Sequence, residues 1–364
     1  MEQTEFQKCR RNGYANGVAC AIIRRIMNIQ RNFALKDAKV DLASAAIPQR
    51  RQEATRRGFL KSAVAFGGLV ATSRLPVFAG DVSLFRGRGM FERLSLVSRH
   101  IDAGAERPFS VLHISDTHLT AAYPHESEWT RSFMEKRVRV FGGWQEEALR
   151  DSLSWAKGHV DYVVHTGDLI DGQSEANFDL VRKYYGEGGA SMFGSLGNHE
   201  YYHGQKVENE ETKSETRDRL AAAYPFDISF QSTVVNGVNF VTLDDVYNAV
   251  TSDQAGKFEA EVEKGLPIVL CMHCPFGSPR IWRAADKFWN SKNFKAVPDL
   301  GKYKAWESDA VTREFIAYLR AQPLLKAILA GHLHVTVEDR FSPTAMQYVV
   351  GGNFLFHGAE ITIS

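Results

Sequence analysis

Cysteine, long apolar runs and a surplus of one charge are all scarce in this sequence, and each shortage excludes a class of protein. Four cysteines among 364 residues are too few for the dense disulfide framework of a small secreted scaffold. The apolar run at 63–72 is about half as long as the ~20 residues that a membrane-spanning helix needs. The chain has no internal repeat and no low-complexity segment. What remains is an ordinary globular composition, 44% hydrophobic and 24% charged. The length of 364 residues is enough for one large domain or two small ones.

The net charge of +1 hides an uneven distribution of charge along the chain. Residues 1–79 contain 14 Lys and Arg against 5 Asp and Glu, whereas residues 80–364 contain 30 against 38. An acidic main body argues against general binding to nucleic acid or to anionic membranes. All 12 histidines also follow residue 79, so any imidazole chemistry belongs to the acidic part.

The basic N-terminal part has the order of features found in an export signal. Two arginines precede a Phe-Leu-Lys triplet, an apolar run follows, and a small residue closes it: Arg56-Arg57, Phe59-Leu60-Lys61, 63–72 and Ala79. This order resembles a twin-arginine (Tat) signal, a route that carries proteins already folded. We therefore expect 1–79 to be a leader that is cleaved or disordered, and the Tat machinery to be a partner. Residues 80–364 are then expected to be a single domain in the periplasm or another extracytoplasmic space, tethered to the membrane if the signal stays uncleaved. The alternatives are a basic amphipathic start of the fold and a true start at Met27.

After the leader, short β-branched runs alternate with stretches of helical periodicity. The predicted strands are 109–116, 160–168, 191–200, a hairpin over 232–245 that turns at Asn236-Gly237, 266–274, 325–334, 347–352 and 360–364. The predicted helices are 141–158, 176–188, 258–265 and 309–322. This alternation predicts an α/β domain with a mixed sheet or two stacked sheets. Two polar stretches without clear periodicity, 201–217 and 277–309, each follow one of the motifs described next and are expected to form the rims of a site.

Residue types that bind metals stand at the ends of five predicted strands. They are Asp116 and His118, Asp168, Asn198 with His199 and Glu200, His273, and His332 with His334. Ligands collect beyond the carboxyl ends of strands in α/β sheets, and residues i and i+2 of an extended chain face the same side. Carboxylates, imidazoles and an amide oxygen suit Mn, Fe or Zn better than Ca or Mg. Seven of these side chains, all except His199 and Glu200, are candidate ligands, and one of them can bridge, so the set predicts two metal ions.

The order D-x-H, G-D, G-N-H-E, H and G-H-x-H resembles the calcineurin-like metallophosphoesterase family, and its blocks extend from Asp116 to His334. The resemblance implies an α/β fold of four layers, in which two mixed β-sheets are flanked by helices. It also implies two metal sites that share one carboxylate: Asp116, His118, Asp168 and His334 for one, and Asp168, Asn198, His273 and His332 for the other. His199 corresponds to a catalytic histidine that binds no metal, the bridging Asp168 is also catalytic, and Glu200 is expected to orient His199.

The implied activity is the hydrolysis of phosphate monoesters or diesters by a hydroxide that bridges the two cations. A protonated His199 could give its proton to the leaving alkoxide. The expected partner is a small-molecule phosphate ester, and nucleic acid is not expected. Two alternatives remain: a non-enzymatic protein of the cell envelope that binds metal or another ligand, and, against the acidic charge, a nuclease.

Several residues near these blocks allow two interpretations each. His113 and His165 lie inside strands and are expected to be core residues or supports of the ligands, whereas His125 and His203 are candidates for substrate contact. Cys271 and Cys274 either form a disulfide or stay as a buried and a free thiol. The basic and aromatic residues of the second rim either line a pocket for a base or sugar and its phosphate, or belong to a solvated loop: Arg280, Trp282, Arg283, Lys287, Phe288, Trp289, Lys292, Lys295 and Trp306.

Overall fold

The computed structural model describes residues 84–86, 93–188, 191–203, 210–289 and 309–364. The strands are β1 Leu84–Arg86, β2 Ser95–Ile101, β3 Phe109–Ile114, β4 Tyr162–Thr166, β5 Met192–Ser195, β6 Phe230–Val235, β7 Val238–Leu243, β8 Ile268–Cys271, β9 Leu325–Ala330, β10 Val337–Arg340, β11 Met346–Val349 and β12 His357–Ile363. The α-helices are α1 Glu128–Phe141, α2 Gln145–His159, α3 Glu175–Gly188, α4 Glu210–Ala223, α5 Ser252–Glu263, α6 Pro279–Trp289 and α7 Ala310–Ala321. The predicted leader, 1–79, lies outside the described residues.

The strands form two mixed sheets. The first has the order β1-β2-β12-β3-β4-β5 and the second the order β10-β11-β9-β8-β7-β6. Strands β3, β4 and β5 are parallel to one another, as are β7, β8, β9 and β11, and β2 is parallel to β12. The pairs β1–β2, β3–β12, β6–β7 and β10–β11 are antiparallel. The parallel strands are buried on both faces, which is why they appear in the sequence as continuous apolar runs.

The two sheets and the helices outside them form four layers, and the packing of the core shows how the layers contact one another. The two sheets pack face to face through side chains of both, such as Val111 and Val164 against Phe240 and Val269. Helices α2, α3 and α4 cover the outer face of the first sheet, and helices α5, α6 and α7 cover the outer face of the second. The predicted α/β sandwich of two mixed sheets flanked by helices is therefore confirmed. Among the described residues, no helix is both long enough and apolar enough to cross a bilayer.

Most predicted elements are present, and local sequence chemistry sets their ends. The hairpin turn at Asn236 and Gly237 has φ angles of 45° and 79°, the positive values that a type I′ turn requires. The side chain of Thr251 accepts a hydrogen bond from the backbone N–H of Gln254 at the start of α5, and Asp309 does the same for Thr312 at the start of α7. These capping hydrogen bonds set the residue at which each helix begins.

Each of the two polar stretches in which the sequence shows no clear periodicity contains helix. The first stretch contains the start of α4. The buried positions of this helix are 216, 220 and 223, and since residue 216 is a threonine, only two of them are apolar. The second contains α6, in which Ile281, Trp282, Ala285 and Trp289 are buried at helical spacing. Helix α1 and strands β1, β2 and β10 were also not predicted, and residues 290–308 of the second stretch lie outside the described residues.

Candidate metal centre

The predicted ligands follow strand ends that lie at one edge of the molecule. Asp116, Asp168, His273 and His332 each stand two residues beyond the last residue of their strand, which are β3, β4, β8 and β9. Asn198 opens a 3₁₀ turn that follows β5. Parallel strands end at the same edge of a sheet. A side chain of the second sheet reaches the first here, since the ring nitrogen Nδ1 of His273 lies 2.8 Å from the carbonyl oxygen of Thr166. The fold thus collects side chains that are more than 200 residues apart.

One group consists of Asp116, His118, Asp168 and His334, whose ligand atoms all lie within 4.8 Å of one another. The Nε2 atoms of His118 and His334 are 3.1 Å apart, and Nε2 of His334 is 3.2 Å from Oδ1 of Asp116. Nε2 of His118 is 3.8 Å from Oδ2 of Asp168. All four residues are buried, so the two carboxylates face imidazole nitrogens rather than water.

A second group consists of Asp168, His273 and His332. Nε2 of His273 lies 3.3 Å from Oδ2 of Asp168 and 3.2 Å from Nδ1 of His332. The amide oxygen Oδ1 of Asn198 also lies 3.2 Å from Nε2 of His273. Asp168 is therefore common to both groups, and the seven side chains that the sequence nominated as ligands are together in space.

The backbone of these residues is not extended, which corrects the reasoning from alternation along a strand. Five of the seven have φ angles in the left-handed region: 56° at Asp116, 55° at His118, 54° at Asp168, 67° at His332 and 55° at His334. Non-glycine residues in that region cost about 1–3 kcal/mol each and concentrate at functional sites. Each D-x-H or H-x-H pair converges because both of its residues turn out of the strand.

Hydrogen bonds hold the strained loops in place. The N–H of His332 donates to Oδ2 of Asp116 over 2.9 Å, and the N–H of His118 donates to the carbonyl of Asp168 over 2.9 Å. Gly167 has φ of 89°, and a Cβ there would lie 2.6 Å from Nδ1 of His273. The glycine before Asp168 is therefore required both for its conformation and for the approach of the second sheet.

Electrostatics keep the carboxylates charged and two of the imidazoles neutral. Although burial alone raises the pKa of Asp168, the neighbouring His273 and His199 hold it well below its usual range. His334 does the same for the pKa of Asp116, again against the effect of burial. Burial lowers the pKa of His118 well below 6.5 and that of His332 to about 3. Both imidazoles consequently have a free lone pair at neutral pH, as a metal ligand requires.

His199 lies at the edge of this cluster, where one ligand-type atom from each of His118, Asp171 and His199 lies within 4.8 Å of the other two. Its Nδ1 atom is 2.6 Å from Oδ1 of Asp171, its Nε2 atom is 3.9 Å from Oδ2 of Asp168, and its backbone N–H donates to Oδ1 of Asp168 over 2.8 Å. Burial alone lowers the pKa of His199, but the carboxylates of Asp168 and Asp171 raise it to about 9. Because Nδ1 is bonded to Asp171, the protonated ring can donate its Nε2–H to a group that binds next to Asp168.

The prediction that Glu200 orients His199 was wrong. The carboxylate of Glu200 accepts from the N–H groups of Gly197, Asp168, Leu169 and Ile170 over 2.8, 3.0, 2.6 and 3.2 Å, and from the hydroxyl of Tyr224 over 3.0 Å. Burial raises the pKa of Glu200 to about 7, yet all five neighbours are donors, and only the ionised carboxylate can accept from all of them. Glu200 therefore joins the loop after β4 to the loop after β5.

Three residues of the site were missed. Asp171 orients His199, and its place three residues after Asp168 in "GDLID" was a signal that could have found it. Asp245 accepts from the N–H groups of His273 and Cys274 over 2.8 and 2.9 Å and holds the loop after β8. Arg137, on α1, contacts Asp171 and His199, and no local pattern in the sequence marks it.

Aromatic side chains close one side of the cluster. The ring of Phe141 stacks on that of His118 with centroids 4.1 Å apart, and Phe354 lies edge-on to His334 at 5.1 Å. Trp289 donates its Nε1–H to the carbonyl oxygen of Leu333 over 2.9 Å. Of the predicted basic and aromatic patch, Trp282 and Trp289 are buried, Arg280, Arg283, Lys287 and Phe288 are exposed, and Lys292, Lys295 and Trp306 lie outside the described residues.

The other histidines and the cysteines lie apart from the ligand atoms. His113 and His165 are buried between β3 and β4, 2.9 Å from the hydroxyls of Thr166 and Thr117, which confirms their core role. His125 forms an exposed ion pair with Glu175, and His203 lies beside Arg219, so neither faces the cluster in these contacts. Cys271 and Cys274 are both buried and free, which answers the open question of a disulfide between them.

The sequence profile of the calcineurin-like phosphoesterase family matches residues 109–336, and the chain therefore belongs to this family. A search of curated proteins finds no match. Among solved structures, the chain is similar to a dimetal phosphatase from Danio rerio, with 16% identity, 69% of this chain and 91% of that one covered, and a TM-score of 0.42. It is also similar to the purple acid phosphatase PPD1 from yellow lupin (Lupinus luteus), with 13% identity, 71% and 47% coverage, and a TM-score of 0.43. The chain thus spans about half the length of the lupin enzyme.

Proposed function

We propose that the protein is a binuclear metal-dependent hydrolase of phosphate esters. The observation that carries the proposal is the convergence of two groups of ligand atoms on one shared carboxylate, Asp168. Membership of a phosphoesterase family supports the same conclusion. The substrate class is a small phosphate monoester or diester, since the acidic main body does not favour a long nucleic-acid chain.

The donor set fits a pair of transition-metal cations. Asp116, His118 and His334 would hold one cation, Asn198, His273 and His332 the other, and Asp168 both. Imidazole nitrogens in both groups favour Mn, Fe or Zn over Mg or Ca. When bound, two such cations would supply a water of lowered pKa as the nucleophile and would offset the negative charge of the phosphate.

The protein's own residues supply the remaining requirements. Hydrogen bonds from backbone N–H groups fix the carboxylates of Asp116 and Asp168, so the site is formed before any ligand arrives. His199 holds a proton at Nε2, on the side of Asp168, and can donate it to the oxygen of the leaving alcohol. The aromatic side chains Phe141 and Phe354 exclude water from behind His118.

Hydrolysis of model esters tests the proposal. The mature protein, loaded with Mn, is expected to hydrolyse p-nitrophenyl phosphate or bis-p-nitrophenyl phosphate, and a chelator is expected to stop the reaction. Asn198→Ala is expected to lower this rate by about 10²–10⁴ because it removes a ligand, and His199→Ala is expected to lower the rate on an ethyl ester by a similar factor because it removes the proton donor. His125→Ala, in an exposed ion pair, is the matched histidine control and should leave the rate within twofold. Wild-type rates in the two cluster variants would reject the site.

We also propose export through the Tat route, supported by the arginine pair and the order of features that follows it. A tagged full-length chain is expected in the periplasmic fraction. Replacement of Arg56 and Arg57 by lysine is expected to leave it in the cytoplasm. Equal fractionation of both chains would reject the proposal.

A further inference from the structure

A buried arginine stands behind the pair of His199 and Asp171. Arg137 projects from α1 and is 6% exposed, and Asp171 is fully buried. Nε of Arg137 bonds to Oδ2 of Asp171, and Nη2 bonds to Oδ1 over 3.0 Å. The two side chains therefore form the planar two-point contact that suits a guanidinium and a carboxylate.

The contact determines where the carboxylate of Asp171 points. A carboxylate that accepts only from His199 could rotate about its own axis, whereas one whose two oxygens are both held by a guanidinium cannot. Oδ1, which receives Nη2 of Arg137, is also the atom that lies 2.6 Å from Nδ1 of His199. Nη2 itself lies 3.2 Å from Nδ1, but the Nδ1–H donates to Oδ1 of Asp171 and leaves no acceptor for the guanidinium, so Arg137 acts on the ring through the carboxylate. The geometry of the imidazole ring is consequently set by a chain of contacts that starts at Arg137.

The surroundings show that Arg137 is itself held in place. Its guanidinium carbon lies 5.1 Å from the centroid of the Phe141 ring and 6.0 Å from that of the Tyr202 ring. Phe141 stacks on His118, and Tyr202 lies edge-on to His199 at 4.8 Å. Helix α1 is thereby connected to both the cluster and the proton donor.

We propose that Arg137 is a positioning residue, which acts through Asp171 to hold His199 in the orientation needed to protonate the leaving alcohol. The inference rests on the proposed function. It assigns a positioning task to α1, a helix that no pattern in the sequence predicted at the site. Lysine cannot replace arginine in this task because an ammonium group lacks the planar fork.

The test uses two esters that differ in their need for a proton. p-Nitrophenolate leaves without protonation, whereas an ethoxide must be protonated as it leaves. Arg137→Met and Arg137→Lys are expected to slow hydrolysis of the ethyl ester by about 10–100-fold and that of the matching p-nitrophenyl ester by less than about threefold. Arg131→Met, an exposed position of the same helix, should change neither rate.

A double variant tests whether Arg137 acts through Asp171. Arg137→Met combined with Asp171→Asn is expected to slow the ethyl ester no more than Asp171→Asn alone, because the second change removes the group through which the first acts. If Arg137→Met does not fold, as judged by its melting temperature, Arg137→Lys serves in both experiments. Multiplicative losses in the double variant would overturn the proposal.

Failure of the proposed function and failure of the role of Arg137 give different results. If the wild-type protein hydrolyses neither ester, the proposed function fails and this inference fails with it. If the wild type is active and the Arg137 variants lose the same factor on both esters, or lose nothing, only the positioning role is wrong.

Discussion

The carboxylate of Glu200 offers the sharpest test of how the site is held together. Its five donors come from the loops after β4 and β5 and from Tyr224, and two of them, the N–H groups of Asp168 and Gly197, share Oε2. In Glu200→Gln an amide NH₂ replaces one of the oxygens, so at least two buried N–H groups face a donor. Each buried unpaired group costs about 1–3 kcal/mol, and the variant should lose about 2–6 kcal/mol of unfolding free energy.

That loss is large against a typical total stability of about 5–15 kcal/mol. It corresponds to a fall in melting temperature of roughly 5–20 °C for a domain of this size. Circular dichroism at pH 8, above the pKa of about 7 of Glu200, measures it while the carboxylate is ionised. Glu263→Gln, at the exposed end of α5, is the matched control. A Glu200→Gln melting temperature within 2 °C of the wild type would refute the assignment of Glu200 as the joint between the loops.

Three further predictions follow from the same contacts. Asp168→Ala is expected to lower the metal content from two ions per chain to one or none, because both ligand groups share this carboxylate; elemental analysis measures it. Gly331→Ala is expected to lower the melting temperature, since its Cβ would lie 2.5 Å from Oδ2 of Asp116 and would overlap the hydroxyl of Ser115. Although burial raises the pKa of Asp171, Arg137 and His199 hold it below 3.8, so its pairing stabilises the fold above about pH 4 and is lost as the pH falls. Asp171→Asn should therefore lower stability by about 3–5 kcal/mol at pH 7, and the gap to the wild type should narrow below pH 4.

Each of these predictions has a control or a contrary outcome. Two ions in Asp168→Ala would show that the groups do not share a ligand. Gly158→Ala, in a helix with open space around the added Cβ, should not lower stability, and equal effects at both glycines would contradict the packing argument. A difference in unfolding free energy between Asp171→Asn and the wild type that stays constant from pH 7 to pH 3 would mean that the charge of Asp171 does not stabilise the fold.

The ligand set could be predicted from sequence because each ligand lies two to four residues beyond the end of an apolar strand. Strand ends are visible as the point where β-branched runs stop, and parallel strands bring those ends together. The conformation at the ends was not predictable by the same argument. Asp116 and His334 adopt positive φ, which no alternation of side chains along a strand contains.

The supporting residues could be predicted only in part. Asp171 is close to Asp168 in the chain, so local spacing carries some information about it. Nothing in the local sequence distinguishes Arg137 or Asp245 from an ordinary charged residue. Their roles depend on contacts with Asp171 and His273, which are 34 and 28 residues away along the chain. Helix α4 escaped prediction for a related reason, since its buried face is small and partly polar.

Anomalous diffraction from crystals grown with Mn locates any bound cations relative to Asp168. We expect two peaks about 3.5–4 Å apart, with the carboxylate of Asp168 between them, one near His118 and His334 and the other near His273 and His332. A single peak, or peaks that leave Asp168 uncoordinated, would contradict the proposal.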